Sequence, residues 1–426
     1  MMVDLKNKKI LYIDFGNYIK VAMRLAREDG FGTVYYYCNW QSAYPKYDAY
    51  MVGMGIDTVL PNFKQVHSIW DVYHEVDAFV IPDLYSGDFT EWLRLQGKIV
   101  FGVGRGEDME LQRDMMKEYL KELKLSVNEY QTVIGLDNLR EILKEKNDLY
   151  VKTNMFRGSM ETFHHDEYKL SKPRLDRFEH TLGIYKDKQK FIVETSIKNS
   201  IDFAIDMITA DGKFPEKTLM GIEGKNTNYI GVFTDYDKAP ANVRKINEKI
   251  APALAQYRYR MALSPECRIT KDGTAYLSDM CCRLPEPPTS IYVEMYENFP
   301  ELVWMTAIGE RPVIKSKYKY AAQLVIKAEH SAKEPQAIYF PKEIENMVNI
   351  KNLCIHEGVY YYLPQEHDMC EIGGVIGLDN TLDGAIKNVL KNAKLIKGDG
   401  IYMDCDSFDS VEEDIKKAKK FGINIF

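Results

Sequence analysis

The sequence lacks several patterns that would each indicate a particular class of protein. It has no run of about 18 apolar residues, so no membrane-spanning helix and no membrane partner are expected. The N-terminus lacks the apolar core and cleavage site of a signal peptide. The seven cysteines include no CxxC pair and are odd in number, which argues against a zinc site and a disulfide framework. These absences predict a cytoplasmic protein with reduced thiols.

A basic surface is also missing. The 426 residues carry 56 basic and 63 acidic side chains, a formal net charge of −7. That balance argues against a polybasic surface, and we expect no nucleic-acid partner. The hydrophobic fraction of 45% is ordinary for a globular protein, and the length predicts two to four domains or subdomains.

The most informative pattern is a predicted hairpin from Met261 to Arg283. Two strand-like runs flank Asp272-Gly273, a dipeptide that favours a two-residue type I′ turn. With those two residues as the turn, Glu266 lies directly opposite Asp279. The same register pairs Ser264 with Cys281 and Arg268 with Leu277, and the alternation of side chains puts Arg268, Glu266, Asp279, Cys281 and Arg283 on one face.

Two carboxylates directly opposite each other are destabilising unless a cation lies between them. Mg²⁺ binds a few carboxylates and completes its shell with water and phosphate oxygens. We therefore predict that Glu266 and Asp279 are metal ligands, and that Arg268 and Arg283 bind phosphate. A solvated face with Arg–Glu pairs is the alternative, and a three-residue turn would shift the register.

The N-terminal part alternates strands and helices, which indicates a parallel α/β sheet. Its first strand, Lys9 to Asp14, ends in the turn sequence DFGNYIK. This is not GxGxxG, so a dinucleotide site is poorly supported.

Further along the chain, three short patterns admit a functional interpretation. Lys152 ends a strand and precedes a glycine turn at Gly158, which suits a loop over nucleotide phosphates; a solvated lysine is the alternative. Glu194 ends another strand. It could contact the ribose or adenine of a nucleotide, and a glutamate at the edge of a sheet with no such contact is the alternative. The run His164-His165-Asp166 has no third spaced ligand, so we expect an exposed loop there and not a metal site.

The order of these elements resembles the ATP-grasp fold, and the chain is similar to the glycinamide ribonucleotide synthetase (phosphoribosylamine–glycine ligase) family along nearly its whole length. Tyr150-Val-Lys152 looks like the family's VVKADG, and the segment from Leu277 to Pro287 looks like LEFNVRFGDPE. Further segments of this chain look like family motifs. They are VIPD (80–83) with GKIVFG (97–102), which look like the family's VVGPE and GIPVFGP; LQRDMMKEYL (111–120), like GSKAFMKDFL; GKNTNY (224–229), which sits where the family has GPNTGGMG; IHEG (355–358), like FHAGT; and NTLDGA (380–385), like DTLEEA.

The resemblance implies an α/β and α+β architecture. It consists of an N-terminal parallel α/β (pre-ATP-grasp) domain over 1–108, a two-lobed ATP-grasp domain over 109–310, and a small C-terminal α+β domain over 311–426. It implies ATP and Mg²⁺ as cofactors, with Lys152, Arg113 and Gly158 at the phosphates and Glu194 and Asp202 near adenine and ribose. Glu266 and Asp279 would hold Mg²⁺, and Arg283 would be catalytic. Arg268, which the hairpin register puts on the same face, is predicted to be catalytic with it.

The implied activity is that of an ATP-dependent carboxylate–amine ligase that forms an amide through an acyl phosphate. Its partners would be a small carboxylate and a small amine, and we expect a monomer or homodimer. The sequence departs from the family at Cys281, which replaces a metal-binding asparagine, and in the eroded glycine loops. These departures put phosphoribosylamine and glycine in doubt as substrates. They also leave two alternatives, an ATP-binding regulator without catalysis and, less well supported, an NAD-dependent dehydrogenase.

Overall fold

The computed structural model describes residues 3–38, 50–157, 161–224, 226–330, 334–364 and 370–426. Its strands are β1 Lys9–Asp14, β2 Thr33–Cys38, β3 Phe63–Gln65, β4 Ala78–Val80, β5 Ile99–Phe101, β6 Tyr130–Ile134, β7 Leu149–Thr153, β8 Thr162–His165, β9 Lys190–Thr195, β10 Ser200–Ala210, β11 Lys217–Gly224, β12 Asn228–Asp235, β13 Arg260–Thr270, β14 Ala275–Cys281, β15 Tyr320–Ala328, β16 Gln336–Ile338, β17 Val348–Ile350, β18 Leu353–His356, β19 Val359–Tyr362, β20 Glu371–Asp379 and β21 Ile401–Tyr402.

The helices alternate with these strands or close the chain. They are α1 Ile19–Leu25, α2 Gly87–Leu95, α3 Asp108–Leu111, α4 Arg113–Glu122, α5 Leu136–Glu145, α6 Tyr168–Leu182, α7 Ala241–Gln256, α8 Pro288–Met295, α9 Phe299–Ala307, α10 Leu382–Ala393 and α11 Val411–Lys420. Within the described ranges, no helix is long and apolar enough to cross a membrane.

The first five strands form a parallel sheet in the order β3-β2-β1-β4-β5. Each strand is short, and β1 and β4 are almost wholly buried, as expected when helices cover both faces of a parallel sheet. The parallel α/β sheet predicted for the N-terminal part is confirmed.

A second, antiparallel sheet has the order β6-β9-β7-β8 and carries α5 and α6. We call this unit the small lobe. It has its own apolar core, which includes Leu139, Val151, Phe178 and Phe191. His164 and His165 belong to β8, so the expected exposed loop is wrong: His165 is buried and bonds Ser171 and the Lys146 carbonyl.

The largest sheet has nine strands, in the order β14-β13-β10-β11-β12-β15-β20-β17, with β21 beside β15. It runs without a break across the domain limit predicted at 310/311, because β12 pairs directly with β15. The domain limits therefore stay predictions. A further three strands form the sheet β16-β19-β18.

The hairpin of β13 and β14 contains the predicted facing pair, but its turn and its register differ from the prediction. The turn has three residues, Lys271 to Gly273; Thr270 N donates to Thr274 O at 3.0 Å, and Gly273 has φ +82°. This shifts the register by one, so that Arg268 faces Tyr276 and not the predicted Leu277. A bulge at Ser278 then restores the register, and Glu266 faces Asp279 as predicted.

Candidate active site

A cleft of about 550 Å³ lies between the small lobe and the large sheet. The small lobe contributes residues of β7, β8 and β9, and the large sheet contributes residues of five of its nine strands, β10 to β14. Seven of the predicted site residues line this cleft: Lys152, Glu194, Asp202, Glu266, Arg268, Asp279 and Arg283. Residues far apart in the sequence are thus brought to one cavity.

At the small-lobe end, Glu194 accepts ion pairs from two buried lysines. Lys152 Nζ lies 3.0 Å from Oε1 and Lys117 Nζ lies 2.6 Å from Oε2. Burial of Glu194 favours the neutral acid, but the two lysines outweigh it and lower the pKa of Glu194 to about 2. Burial likewise opposes the charge of Lys152, yet Glu194 and Asp279 raise its pKa. This end of the cleft is a compact set of paired charges.

Lys152 also bridges the cleft. Its Nζ donates to the carbonyl oxygen of Ser278, the bulged residue of β14. The Ser278 hydroxyl donates to the backbone oxygen of Glu266 at 2.9 Å. The bulge therefore connects the small lobe to the strand pair that carries the two facing carboxylates.

The facing carboxylates are the centre of the cleft. Glu266 is exposed to the cleft, but the protein atoms packed around its carboxylate, together with the negative charge of Asp279, raise its pKa well above its usual range. A divalent cation would relieve both effects. The donor set fits Mg²⁺, which needs only one or two protein carboxylates when it shares phosphate oxygens. No cluster of three or more His, Cys, Asp or Glu side chains suited to a metal occurs among the described residues.

Cys281 is a poor substitute for an oxygen ligand. Its side chain is buried, and burial raises the pKa of the thiol well above its usual range, so it stays protonated. Thiols bind metals as thiolates, and hard Mg²⁺ prefers oxygen. Its cross-strand partner is Ser264, as predicted.

Arg283 lies at the other end of the cleft, close to the N-terminal sheet. Its Nε donates to Oε1 of Glu110 at 3.1 Å, and Glu110 also accepts from the backbone N–H of Cys282 at 2.5 Å. Glu110 is only 2% exposed, so its charge holds the guanidinium in one orientation. Arg157 pairs with Asp83 and lies 3.7 Å from the same carboxylate.

Arg268 and Asp202 form an ion pair at the rim, with a distance of 3.0 Å. The guanidinium of Arg268 also lies 5.6 Å from the centre of the Tyr150 ring. These contacts bring one residue of the small lobe and two of the large sheet together where the cleft opens.

Arg113 does not line the cleft. Its guanidinium donates to the carbonyls of Thr153 and Phe156 and pairs with Glu161, so it braces the chain that follows Lys152. Its predicted phosphate contact stays a prediction, and Gly158 lies outside the described residues. Lys117 is one residue that sequence reasoning missed. It lies four residues after Arg113, on the same face of α4, and this spacing was the available signal.

Comparisons with known proteins support the fold and leave the function open. No protein-family model matches the chain, and no curated protein matches its sequence. Among solved structures, phosphoribosylamine–glycine ligase from Thermotoga maritima matches with TM-score 0.70 and 14% identity over 93% of this chain and 99% of that one. The biotin carboxylase domain dimer of Hydrogenobacter thermophilus 2-oxoglutarate carboxylase, solved with MgADP and bicarbonate, matches with TM-score 0.68 and 12% identity over 97% and 95%. An L-amino acid ligase from Bacillus licheniformis matches with TM-score 0.60 and 16% identity over 94% and 99%.

The chain therefore has the fold of the ATP-grasp enzymes. The sequence resemblance to phosphoribosylamine–glycine ligase is confirmed at the level of structure, because that ligase is among the matching folds along nearly its whole length.

Proposed function

We propose that this protein is an ATP-dependent ligase that joins a carboxylate to an amine and releases ADP and phosphate. The observation that carries the proposal is the pair of facing carboxylates, Glu266 and Asp279, inside a cleft closed by Lys152 of the opposite sheet. Coverage of the ligase and carboxylase folds over more than nine-tenths of the chain supports it.

A carboxylate is a poor acyl donor because its leaving group is poor, and transfer of a phosphoryl group from ATP corrects this. Bound Mg²⁺ would neutralise phosphate charge during that transfer. Glu266 and Asp279 would hold the metal. Lys152 would bind phosphate oxygens, and Arg283, fixed by Glu110, would stabilise charge on the acyl phosphate. Most of the catalysis would come from orientation and charge neutralisation.

The direct test is a screen with pooled small carboxylates, MgATP and hydroxylamine, in which ADP release and hydroxamate formation are measured together. Hydroxylamine traps an acyl phosphate without the natural amine. We expect both products with at least one carboxylate pool, and neither without Mg²⁺. ADP release that does not depend on any carboxylate, or hydroxamate formation without ATP, would contradict the proposal.

The buried, protonated thiol of Cys281 favours a second candidate, an ATP-binding regulator without catalysis. This candidate predicts tight MgATP binding by calorimetry and no ADP or hydroxamate in the whole screen. It also predicts that Cys281→Asn, which supplies an oxygen ligand, introduces activity.

A further inference from the structure

One carboxylate on the floor of the cleft has no cationic partner among the described residues. Asp206 of β10 is 2% exposed, yet it lines the cleft. It accepts a hydrogen bond from the Tyr229 hydroxyl at 2.5 Å and one from the Ser264 hydroxyl at 2.7 Å. A buried ionised carboxylate with only neutral partners is costly in free energy, which makes this position different from every paired acid nearby.

The strands of the large sheet place this group beside the facing carboxylates. Glu266 pairs with Ala204 of β10, and Asp206 lies two residues further along the same strand. Ser264 lies two residues before Glu266 on β13. Asp206 and Ser264 thus form the next row of the sheet, on the side toward Arg283.

Gly221 makes the Tyr229 contact possible. It lies on β11, between the strands of Asp206 and Tyr229, and a Cβ built there would be 2.2 Å from the tyrosine oxygen. The phenol therefore crosses the sheet surface over the glycine to reach the carboxylate. An ordinary side chain at 221 would occupy that path.

The hydrogen bonds of Asp206 determine which kind of ligand the floor of the cleft can bind. Because both hydroxyls give their protons to Asp206, the lone pairs of Ser264 Oγ and Tyr229 Oη remain as acceptors. The site then consists of one anion and two neutral acceptors. Its complement is a cation that donates several hydrogen bonds, as an ammonium group does.

The charge of the whole cleft points the same way. Eight acidic and three basic side chains line it. Each of the three basic residues pairs with an acid other than Asp206: Lys152 with Glu194, Arg268 with Asp202 and Arg283 with Glu110. The field at the floor therefore attracts cations and repels a second anion.

We propose that Asp206, Ser264 and Tyr229 form the site for an amino group, and that they bind the amine substrate as its ammonium ion next to the facing carboxylates. The ammonium gives one proton to Asp206 before the freed nitrogen lone pair attacks the acyl carbon and phosphate leaves. This rests on the proposed ligase function and specifies the chemical class of its acceptor: a primary amine, and not an alcohol, a thiol or an anionic nucleophile.

The test compares charged and uncharged nucleophiles in Asp206→Asn, with any carboxylate pool that gives hydroxamate. Hydroxylamine is uncharged at neutral pH and does not need an ammonium site. Methylamine and ethanolamine enter as cations, and glycine enters as a zwitterion that carries an ammonium group. We expect kcat/KM for a productive amine to fall by about 10- to 100-fold, the range expected for lost hydrogen bonds to a charge, while hydroxamate formation changes less than about threefold.

Two further variants test the same site if Asp206→Asn folds poorly. Tyr229→Phe and Ser264→Ala each remove one acceptor and keep the carboxylate, and we expect each to raise the amine KM by about three- to tenfold. Asp235→Asn, an exposed acid at the other end of β12, is the matched control and leaves both nucleophiles unaffected.

The outcomes separate this proposal from the ligase function itself. No hydroxamate with any carboxylate in the wild type removes the ligase function, and the amine site with it. Hydroxamate formation in the wild type, with equal losses for hydroxylamine and amines in all three variants, overturns the amine site alone. Unchanged amine kinetics together with a K⁺ requirement that Asp206→Asn abolishes would also overturn it, because the cation would then be a metal ion.

Discussion

Two buried carboxylates of the cleft, Glu194 near the small lobe and Asp206 on the floor, have opposite kinds of partner. Near the small lobe, Glu194 has two lysine partners within 3.0 Å. On the floor of the large sheet, Asp206 has two hydroxyl partners and, among the described residues, no basic one. The pKa values follow: the lysines lower that of Glu194 to about 2, whereas burial raises that of Asp206 to about 6. The charge of Glu194 is matched by lysines, whereas Asp206 bonds hydroxyl groups, the arrangement that we propose binds an ammonium group.

The facing carboxylates lie between these ends, and removing one should have the largest effect. In Asp279→Ala we expect ATP turnover to fall by about 10³-fold, because charge on the transferring phosphoryl group loses its metal. Coupled ADP release measures it, with Asp235→Asn as control. Turnover within about threefold of wild type would show that Asp279 holds no catalytic metal.

Substitution of Glu194 and of Asp206 should change stability in opposite directions. The folded-state pKa of Glu194 is about 2, below the 4.5 of an unperturbed glutamate, so its charge stabilises the fold above about pH 4.5, and this stabilisation is lost as the pH falls toward 2. We expect Glu194→Gln to lower the free energy of unfolding at pH 7 by about 3 kcal/mol, and by less at pH 3.

Asp206 has the reverse linkage. Its folded-state pKa of about 6 lies above the 3.8 of an unperturbed aspartate, so the free energy of unfolding falls as the pH rises from about 3.8 to 6. We expect Asp206→Asn to be neutral or to stabilise the protein at pH 7 by up to about 2 kcal/mol, and to give no gain at pH 4. Urea unfolding of both variants at matched pH measures the contrast. Equal destabilisation at pH 7 would remove the distinction between the two ends.

A smaller change at Gly221 should disturb only the floor. In Gly221→Ala the new methyl group meets the Tyr229 oxygen, so the phenol must move away from Asp206. We expect a loss of stability of about 1–3 kcal/mol and a higher amine KM, with ADP affinity retained. Gly273→Ala is a useful comparison because alanine there meets no neighbouring atom but is strained by the positive φ of the hairpin turn, so it costs stability without moving Tyr229. A higher ADP dissociation constant in Gly221→Ala would mean that a change around Asp206 and Tyr229 also disturbs the nucleotide site.

The smallest effect is expected at Cys281. Cys281→Asn supplies an amide oxygen opposite Ser264, on the strand that carries Asp279. We expect the Mg²⁺ affinity in the presence of ADP to rise by about two- to fivefold. A Mg²⁺ titration of ADP binding measures it. A decrease in affinity would show that the side chain at 281 does not point toward the metal.

The sequence could predict the parallel N-terminal sheet, the ATP-grasp layout and the Glu266–Asp279 pair. The pair was predicted through two local errors that cancel: the turn has three residues and not two, and the bulge at Ser278 restores the register. Neither is readable from Asp-Gly alone, since the same dipeptide suits both turn lengths.

Lys117 and Asp206 were missed for different reasons. Lys117 has the ordinary look of a surface lysine on an amphipathic helix, and only the packing of α4 against the small lobe buries it beside Glu194. Asp206 lies in the middle of a strand, where its meaning depends on Tyr229 and Ser264 of two other strands. Inter-strand register of this kind is set by the whole sheet.

We propose that Glu266 and Asp279 hold the divalent ion that carries the nucleotide. The most direct measurement is Mn²⁺ binding by electron paramagnetic resonance with ADP present, in the wild type and in Asp279→Ala. We predict that the wild type removes free Mn²⁺ from solution only when ADP is bound, and that Asp279→Ala binds ADP but not Mn²⁺. Equal Mn²⁺ binding by both proteins would contradict the account.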